Sequence, residues 1–202
     1  MGINVKSLFM DTAWKNLILV LCQDGQVVAS VVKEAFKKQS ETMFVELQTL
    51  LDQVGWTLAD IQEVVITDGP GSYTGLRLAM TTAKLLGTQA DVTVKTISTL
   101  QLYAGVVPQA NVILDARGGR AYVGHIEAGN TTWMGILPIE EVTSFLDEHP
   151  GQLYGEGELV DQVAKASNFV QNVADLLPLA QAVENVHALV PAYMKENDSY
   201  KV

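Results

Sequence analysis

The chain has 202 residues, 48% of them hydrophobic and 18% charged, which is enough apolar material for a buried core and too much for a disordered tail. Thirteen Lys and Arg stand against 23 Asp and Glu, and the net charge of −10 disfavours an unaided binder of nucleic acid or of an anionic membrane, whose phosphates it repels. A single cysteine, Cys22, excludes an internal disulfide, and the best apolar run, Leu17 to Cys22, is far shorter than a bilayer span, so the composition reads as a soluble cytoplasmic protein.

Three strand-like stretches come first: Leu8 to Asp11, Leu17 to Gln23 and Val27 to Lys33, with Asp24-Gly25 as the hairpin turn between the last two. Met1 to Lys6 carries no basic-then-apolar leader, and Lys6 stands where a myristoylation signal places Ser or Thr. Ser40 is positioned as an N-cap, and apolar residues recur at Met43, Phe44, Leu47, Leu50, Leu51 and Val54 before Gly55, which predicts a helix with one buried stripe. The strand Val64 to Thr67 then leads through Asp68-Gly-Pro-Gly-Ser-Tyr-Thr-Gly75 into a second helix ending near Gly87. Strand, glycine loop and helix in that order build an α/β unit.

The second part of the chain echoes the first. Asp11 and Asp115 each end a strand, Gly25 and Gly129 each lie in the next turn, and both pairs are offset by 104 residues. Leu17 to Cys22 lies opposite Ala121 to Ile126 at the same offset, and Gly155-Glu-Gly157 with a helical pattern from Leu159 echoes Gly69-Pro-Gly71 and its helix. The division falls in Gly105 to Ala110, giving an expected first half over 1–106 and a smaller second half over 107–202. A duplicated unit of this kind brings Asp11 and Asp115 to opposite sides of a cleft, where two acidic groups are candidates to hold a divalent metal and nucleotide phosphates; Asp is also a favoured turn residue.

The glycine loop fails the specific tests for nucleotide and nucleophile motifs. It lacks the spacing and lysine of a P-loop, it misses the dinucleotide fingerprint, and Pro70 and Thr74 stand where a nucleophile elbow needs glycines around Ser72. A structural turn and helix cap is the expected role. His125, His149 and His187 are isolated, Cys22 sits within a strand as a core residue, and Glu140-Glu141 and Asp147-Glu148 read as solvated helix positions. Asp115-Ala-Arg-Gly-Gly-Arg120, an aspartate followed by two glycines, is a weak match to a nucleotide-binding turn.

The second helix carries the main functional expectation. At about 100° per residue, Gly75, Ala79 and Ala83 form a small-residue stripe flanked by Leu76 and Met80 on one side and Leu78, Thr82, Leu85 and Leu86 on the other. Only Arg77, Thr81 and Lys84 are left as a polar strip, an apolar arc about twice what one sheet face needs. The excess calls for a second helix, either the 40–54 helix of the same chain or one from a protein partner; the expectation is that both hold, the pair of helices presenting a joint surface with Val45, Thr49, Leu76, Met80 and Ala83 in contact and Arg77 and Lys84 at the rim.

Phe9-Met-Asp-Thr-Ala13, Gln39-Ser-Glu41, Gly69-Pro-Gly-Ser-Tyr-Thr-Gly-Leu-Arg77, Ile97-Ser-Thr-Leu100, Leu114-Asp-Ala-Arg117 with Tyr122, and Pro191-Ala-Tyr193 together resemble the bacterial TsaB (YeaZ) family. The resemblance covers most of the first 125 residues and the tail. It implies the actin-like, sugar-kinase and Hsp70 ATPase superfamily fold, α/β with two related RNase H-like halves, the second reduced here. It further implies a non-catalytic scaffold in the making of N6-threonylcarbamoyladenosine on tRNA, paired with the paralogous transferase TsaD through the two helices of its first half, with the ATPase TsaE joining. Contact with tRNA would then run through the complex, and the same helices are candidates for a homodimer. No cofactor is implied for the chain itself, with ATP or ADP and Mg conceivable in the cleft between halves or at the partner. The chain departs from the family in Gln39, where His is usual, in Gly118-Gly119-Arg120, where Arg-Gly-Glu commonly follows Asp-Ala-Arg, and in a shorter second half. The rival expectation is an independent ATPase or small-molecule kinase of the same superfamily using Asp11 and Asp115 on magnesium; the first turn, Asp11-Thr-Ala-Trp14, lacks a glycine for close phosphate approach. A peptidase lacks both a nucleophile–base pair and a metal motif.

Overall fold

A computed structural model describes residues 4–35, 38–88 and 92–192. The opening meander is β1 (Lys6–Asp11), β2 (Asn16–Gln23) and β3 (Gln26–Glu34), followed by α1 (Gln39–Val54), β4 (Glu63–Thr67), α2 (Tyr73–Gly87), β5 (Thr93–Ile97) and α3 (Thr99–Ala104). The second part runs β6 (Gln109–Asp115), β7 (Arg120–Glu127), β8 (Asn130–Pro138), α4 (Ile139–Glu148), β9 (Gln152–Gly155), α5 (Phe169–Leu176) and the two-residue β10 (Gln181–Ala182). The strands form two sheets, of order β10-β5-β4-β1-β2-β3 and β8-β7-β6-β9.

The central strands are apolar without interruption because both faces are covered. Leu8 and Met10 of β1 and Leu17, Leu19 and Leu21 of β2 point to α1 and α2; Phe9, Ile18, Val20 and Cys22 point to the opposite face, where Val173 and Leu176 of α5 pack. Leu100 and Ala104 of α3 pack on β6, and Val142 and Phe145 of α4 cover the far side of the second sheet. Gly55 takes the left-handed conformation that ends α1. At the other end, α1 starts two residues earlier than its cap signal implies: Lys38 is the N-cap, and Ser40 lies inside the first turn.

The 104-residue repeat is real down to its irregularities. β1 pairs antiparallel with β2 and parallel with β4; β6 pairs antiparallel with β7 and parallel with β9. Asp24-Gly25 and Ala128-Gly129 both have positive φ at both turn positions, as a two-residue hairpin turn with the right twist requires. The pairing of β2 with β3 shifts register between Leu21 and Cys22, and that of β7 with β8 shifts between His125 and Ile126, again 104 residues on.

Two expectations for the second half are corrected. The register places Gly155, opposite Ile113, at the position of Val65, opposite Phe9, so Gly155-Glu-Gly157 is not the counterpart of Gly69-Pro-Gly71. The helix expected from Leu159 is a single 3-10 turn, Gly157–Val160, ended by Asp161 at φ 54°. A lone parallel bridge between Tyr154 and Lys165 stands where the first half has α2 and β5. The chain then returns to the first half: α5 covers its sheet, β10 extends it beside β5, and residues 183–192 run along α2 as a strap.

The strap is tied to the first half at three points and braced within itself. Val183 N donates to Val94 O at 2.9 Å, Lys84 Nζ to His187 O at 3.1 Å, and Ala192 N to Asp68 O at 2.8 Å, while Asn185 Oδ1 accepts from His187 N at 3.0 Å. Val183, Val186 and Leu189 pack against the core under α2.

Candidate functional site

The outer surface of α1 and α2 is one candidate site. α1 sends Gln39, Met43, Leu47, Leu50 and Leu51 inward and leaves Phe44 and Val45 55% and 66% exposed, with Gln48 and Thr49 beside them. On α2 the outward side chains are Tyr73, Arg77, Thr81 and Leu85, the last 63% exposed. Arg77 donates to the Tyr73 hydroxyl and lies over its ring. Val45, Thr49 and Arg77 stand at the surface, and Lys84 is half-buried and bonded to the strap.

Leu76, Met80 and Ala83 do not. They are 2%, 3% and 0% exposed within this chain alone, which corrects their assignment as contact residues. The small stripe faces inward: a Cβ at Gly75 would collide with the carbonyl of Thr12, and Ala79 and Ala83 belong to the core on the sheet. Met80 is covered from the side by the strap, where Leu189, Val190 and Pro191 form a groove of about 280 Å³ with Tyr73, Arg77, Met80, Thr81 and Lys84. The extra apolar arc of α2 is thus roofed largely by residues more than 100 positions later. Phe44, counted in the buried stripe of α1, and Leu85, counted in the apolar arc of α2, are exposed beside Val45. Tyr193, of the closing motif, lies outside the described residues.

A cleft of about 740 Å³ between the two halves is the second candidate. One wall is Ala13, Trp14 and Lys15 with Gln39, Ser40 and the Gly71–Gly75 loop; the other is Asp115, Ala116, Arg117, Tyr122 and Glu156. Trp14 and Tyr122 meet edge to face, with ring centroids 6.4 Å apart. The glycine loop serves as a turn and cap: Ser72 N donates to Ala13 O at 2.8 Å, Ser72 Oγ accepts from Gly75 N, and a Cβ at Gly71 would strike Ala13.

The two aspartate turns are built alike. Asp11 Oδ1 accepts from Ala13 N at 3.1 Å, and Asp115 Oδ1 from Arg117 N at 2.7 Å. Their surroundings differ. Asp115 lines the cleft, but Asp11 is 1% exposed beneath it and also accepts from the Thr67 hydroxyl. Burial pushes the Asp11 carboxyl up to about 6, against the hydrogen bonds from Thr67 and Ala13. The paired approach of Asp11 and Asp115 to one ligand is therefore corrected: Asp11 is a buried fastener between β1 and β4. Glu156, which sequence reasoning missed, reaches the cleft floor instead. It pairs with Lys15, and its Oε2 accepts from Asp115 N at 2.6 Å. Burial raises the Tyr103 phenol well above its usual range, with Asp11 and Glu156 adding to the effect.

Among the described residues the carboxylates lining the cleft are Asp115 and Glu156, Glu156 is paired with Lys15, and no group of three or more His, Cys, Asp or Glu is placed to hold a metal. His125 bonds Asn111 at 2.7 Å and contacts His149, a polar cluster away from the cleft. No helix among the described residues is long and apolar enough to cross a membrane.

Two sheets of matching strand order, with helices between and outside them and a cleft at the two aspartate turns, define a protein of the actin-like ATPase superfamily fold, its second half reduced. A structure of YeaZ from Pseudomonas aeruginosa superposes with a TM-score of 0.79 at 19% identity, covering 94% of this chain and 100% of that one. The family model described as "TsaD: tRNA N6-adenosine threonylcarbamoyltransferase" matches residues 27–187. Two relatives named tRNA threonylcarbamoyladenosine biosynthesis protein TsaB are similar over almost their whole length. That of Bacillus subtilis (strain 168) is 24% identical over 93% of each chain; that of Escherichia coli (strain K12) is 26% identical over 98% of this chain and 97% of the relative. The chain belongs to this family, on its TsaB (YeaZ) side.

Proposed function

We propose that this protein takes part in tRNA N6-threonylcarbamoyladenosine biosynthesis as a scaffold and activator, docking through α1 and α2 onto a TsaD-like transferase subunit, with a TsaE-like ATPase as a further member. The observation that carries the reading is the exposure of Phe44 and Val45 on α1 and of Leu85 on α2, on the two helices that cover one face of the first sheet. Large apolar side chains at a helix surface, with an arginine over a tyrosine ring beside them, have the composition of an interface centre. The net charge of −10 leaves the tRNA phosphates to be met by another subunit. The curated relatives are named for the same pathway.

The test is reconstitution of threonylcarbamoyl transfer to tRNA with the transferase component, in the presence and absence of this chain. Addition of the chain is expected to raise transfer at least about tenfold, the effect of about 1.4 kcal/mol of transition-state stabilisation. Equal transfer by the transferase component alone would remove the activator role.

A further inference from the structure

Lys15 and Glu156 come from opposite halves of the molecule and meet at the cleft. Lys15 precedes β2 in the first aspartate turn; Glu156 directly follows β9. Glu156 is 8% exposed and is anchored within its own half twice, by Oε2 accepting from Asp115 N and by its backbone N donating to Ile113 O at 2.8 Å. Its remaining oxygen, Oε1, bonds the Lys15 ammonium. The lysine side chain is 52% exposed, so one end of the pair is rigid and buried while the other is solvated and free to swing.

We propose that Lys15 and Glu156 form a latch that sets how far the cleft opens, so that the second half braces the N-termini of α1 and α2 from across the gap. The wall that Lys15 belongs to contains Gln39 and Ser40 of α1 and Ser72 to Gly75 at the start of α2. Gln39 Nε2 donates to Trp14 O at 2.8 Å, and Ser72 N donates to Ala13 O, so the residues just before Lys15 are bonded to both helices. Pull exerted on Lys15 by Glu156 therefore acts on the turn to which both helices are fastened. The carboxylate also fills the position in the cleft where Lys15 and the Asp115 amide would otherwise present donors to an anion from solution. The chain carries its own anion there.

This reading is independent of the pairing proposed above and is tested on the isolated full-length chain. Nitroxides are attached at Gln48→Cys on α1 and Ser144→Cys on α4, both solvent-facing, while buried Cys22 stays unlabelled. The native latch is expected to give one dominant narrow distance distribution with a minor second population. Lys15→Met and Glu156→Gln should each enlarge a second, separate population about fivefold, the change that the loss of a partly exposed ion pair produces. Amide exchange at Thr42 and Leu76, whose N–H groups donate to Lys38 O and Ser72 O in the first turns of α1 and α2, should rise by the same factor. Lys15→Met alone decides the matter if Glu156→Gln does not fold, because the lysine end is outside the core. Distributions and exchange rates unchanged from those of the native chain overturn the latch.

Discussion

The hydroxyl of Thr12 donates to the carbonyl oxygen of Gly75 at 2.6 Å, and the carbonyl of Thr12 occupies the space that a Cβ on Gly75 would need. This contact explains why α2 carries a small residue at that point: the helix is drawn down onto the aspartate turn until only glycine fits. The obstacle is backbone on both sides, so neither partner can rotate away. Gly75→Ala should lower stability by about 2–3 kcal/mol, seen as a fall in Tm of about 5–10 °C for a chain of this size. Unchanged melting would mean that the helix does not sit as close as the structure places it.

Burial also sets a pH dependence. Asp11 and Asp68 both have their carboxyl pushed up to about 6 from 3.8, each chiefly by burial. A carboxyl whose folded value is raised favours the folded state most when protonated. Its contribution is complete below 3.8, falls as pH rises towards 6, and is absent above. For Asp11 the difference is at most about 3 kcal/mol. Asp11→Asn keeps an acceptor for Ala13 N and Thr67 and removes the charge. The variant should be more stable than the native chain by about 1–3 kcal/mol at neutral pH, with the advantage vanishing near pH 4. Denaturant unfolding across that range checks the sign; an equal difference at both ends contradicts it.

The corrected surface of α1 and α2 separates two kinds of substitution. Val45→Arg and Phe44→Glu change exposed positions and should leave stability within about 0.5 kcal/mol. Each should weaken binding to a TsaD-like subunit by about 2 kcal/mol or more, roughly 30-fold in Kd. Ala83→Arg is different, because Ala83 is fully enclosed and an arginine there has no room and no counter-charge. It should unfold the chain rather than uncouple a folded protein from its partner. Calorimetric binding paired with thermal melting distinguishes the two, and normal binding by folded Val45→Arg and Phe44→Glu variants would move the interface elsewhere.

Which parts of this arrangement were legible in the sequence follows from how local each signal is. The 104-residue repeat shows in turn residues, because a two-residue hairpin turn selects Gly or Asp by φ at the turn itself. The ends of α1 and β4 show for similar reasons. The covering of α2 does not, since residues 183–192 reach it after a separation of about 100 positions and carry no pattern that names their target. Periodicity also counted Phe44 as inward because it adjoins Met43; at about 100° per residue the buried arc from Gln39 through Leu50, Met43 and Leu47 ends at Leu51, and Phe44 lies just past that edge. Glu156 was invisible for a third reason: a lone glutamate after a short strand gains its role only when Lys15 and the Asp115 amide are brought to it.

Nucleotide binding gives the last test, and it turns on the two aspartate turns that the repeat makes equivalent in backbone but not in exposure. Asp115 faces the cleft; Asp11 is held beneath it by Thr67 and Ala13, so a magnesium ion entering from the cleft meets one of the pair. Trp14 stands beside that turn with its ring against Tyr122, and Lys15 is engaged by Glu156. Mg-ATP titrated into the isolated chain should therefore give no binding in the micromolar range and no rise in Tm. A ligand present at 100 times its Kd would stabilise the fold by about 2.7 kcal/mol, a shift that melting resolves easily. Micromolar binding with turnover would instead establish an ATPase or kinase, and would require Asp11 to leave its buried bonds. Because Asp11→Asn is expected to raise stability at neutral pH, the same variant decides between these cases. It should bind and melt as a sturdier version of the native chain if the carboxylate is a fastener, and should lose nucleotide if it is a ligand.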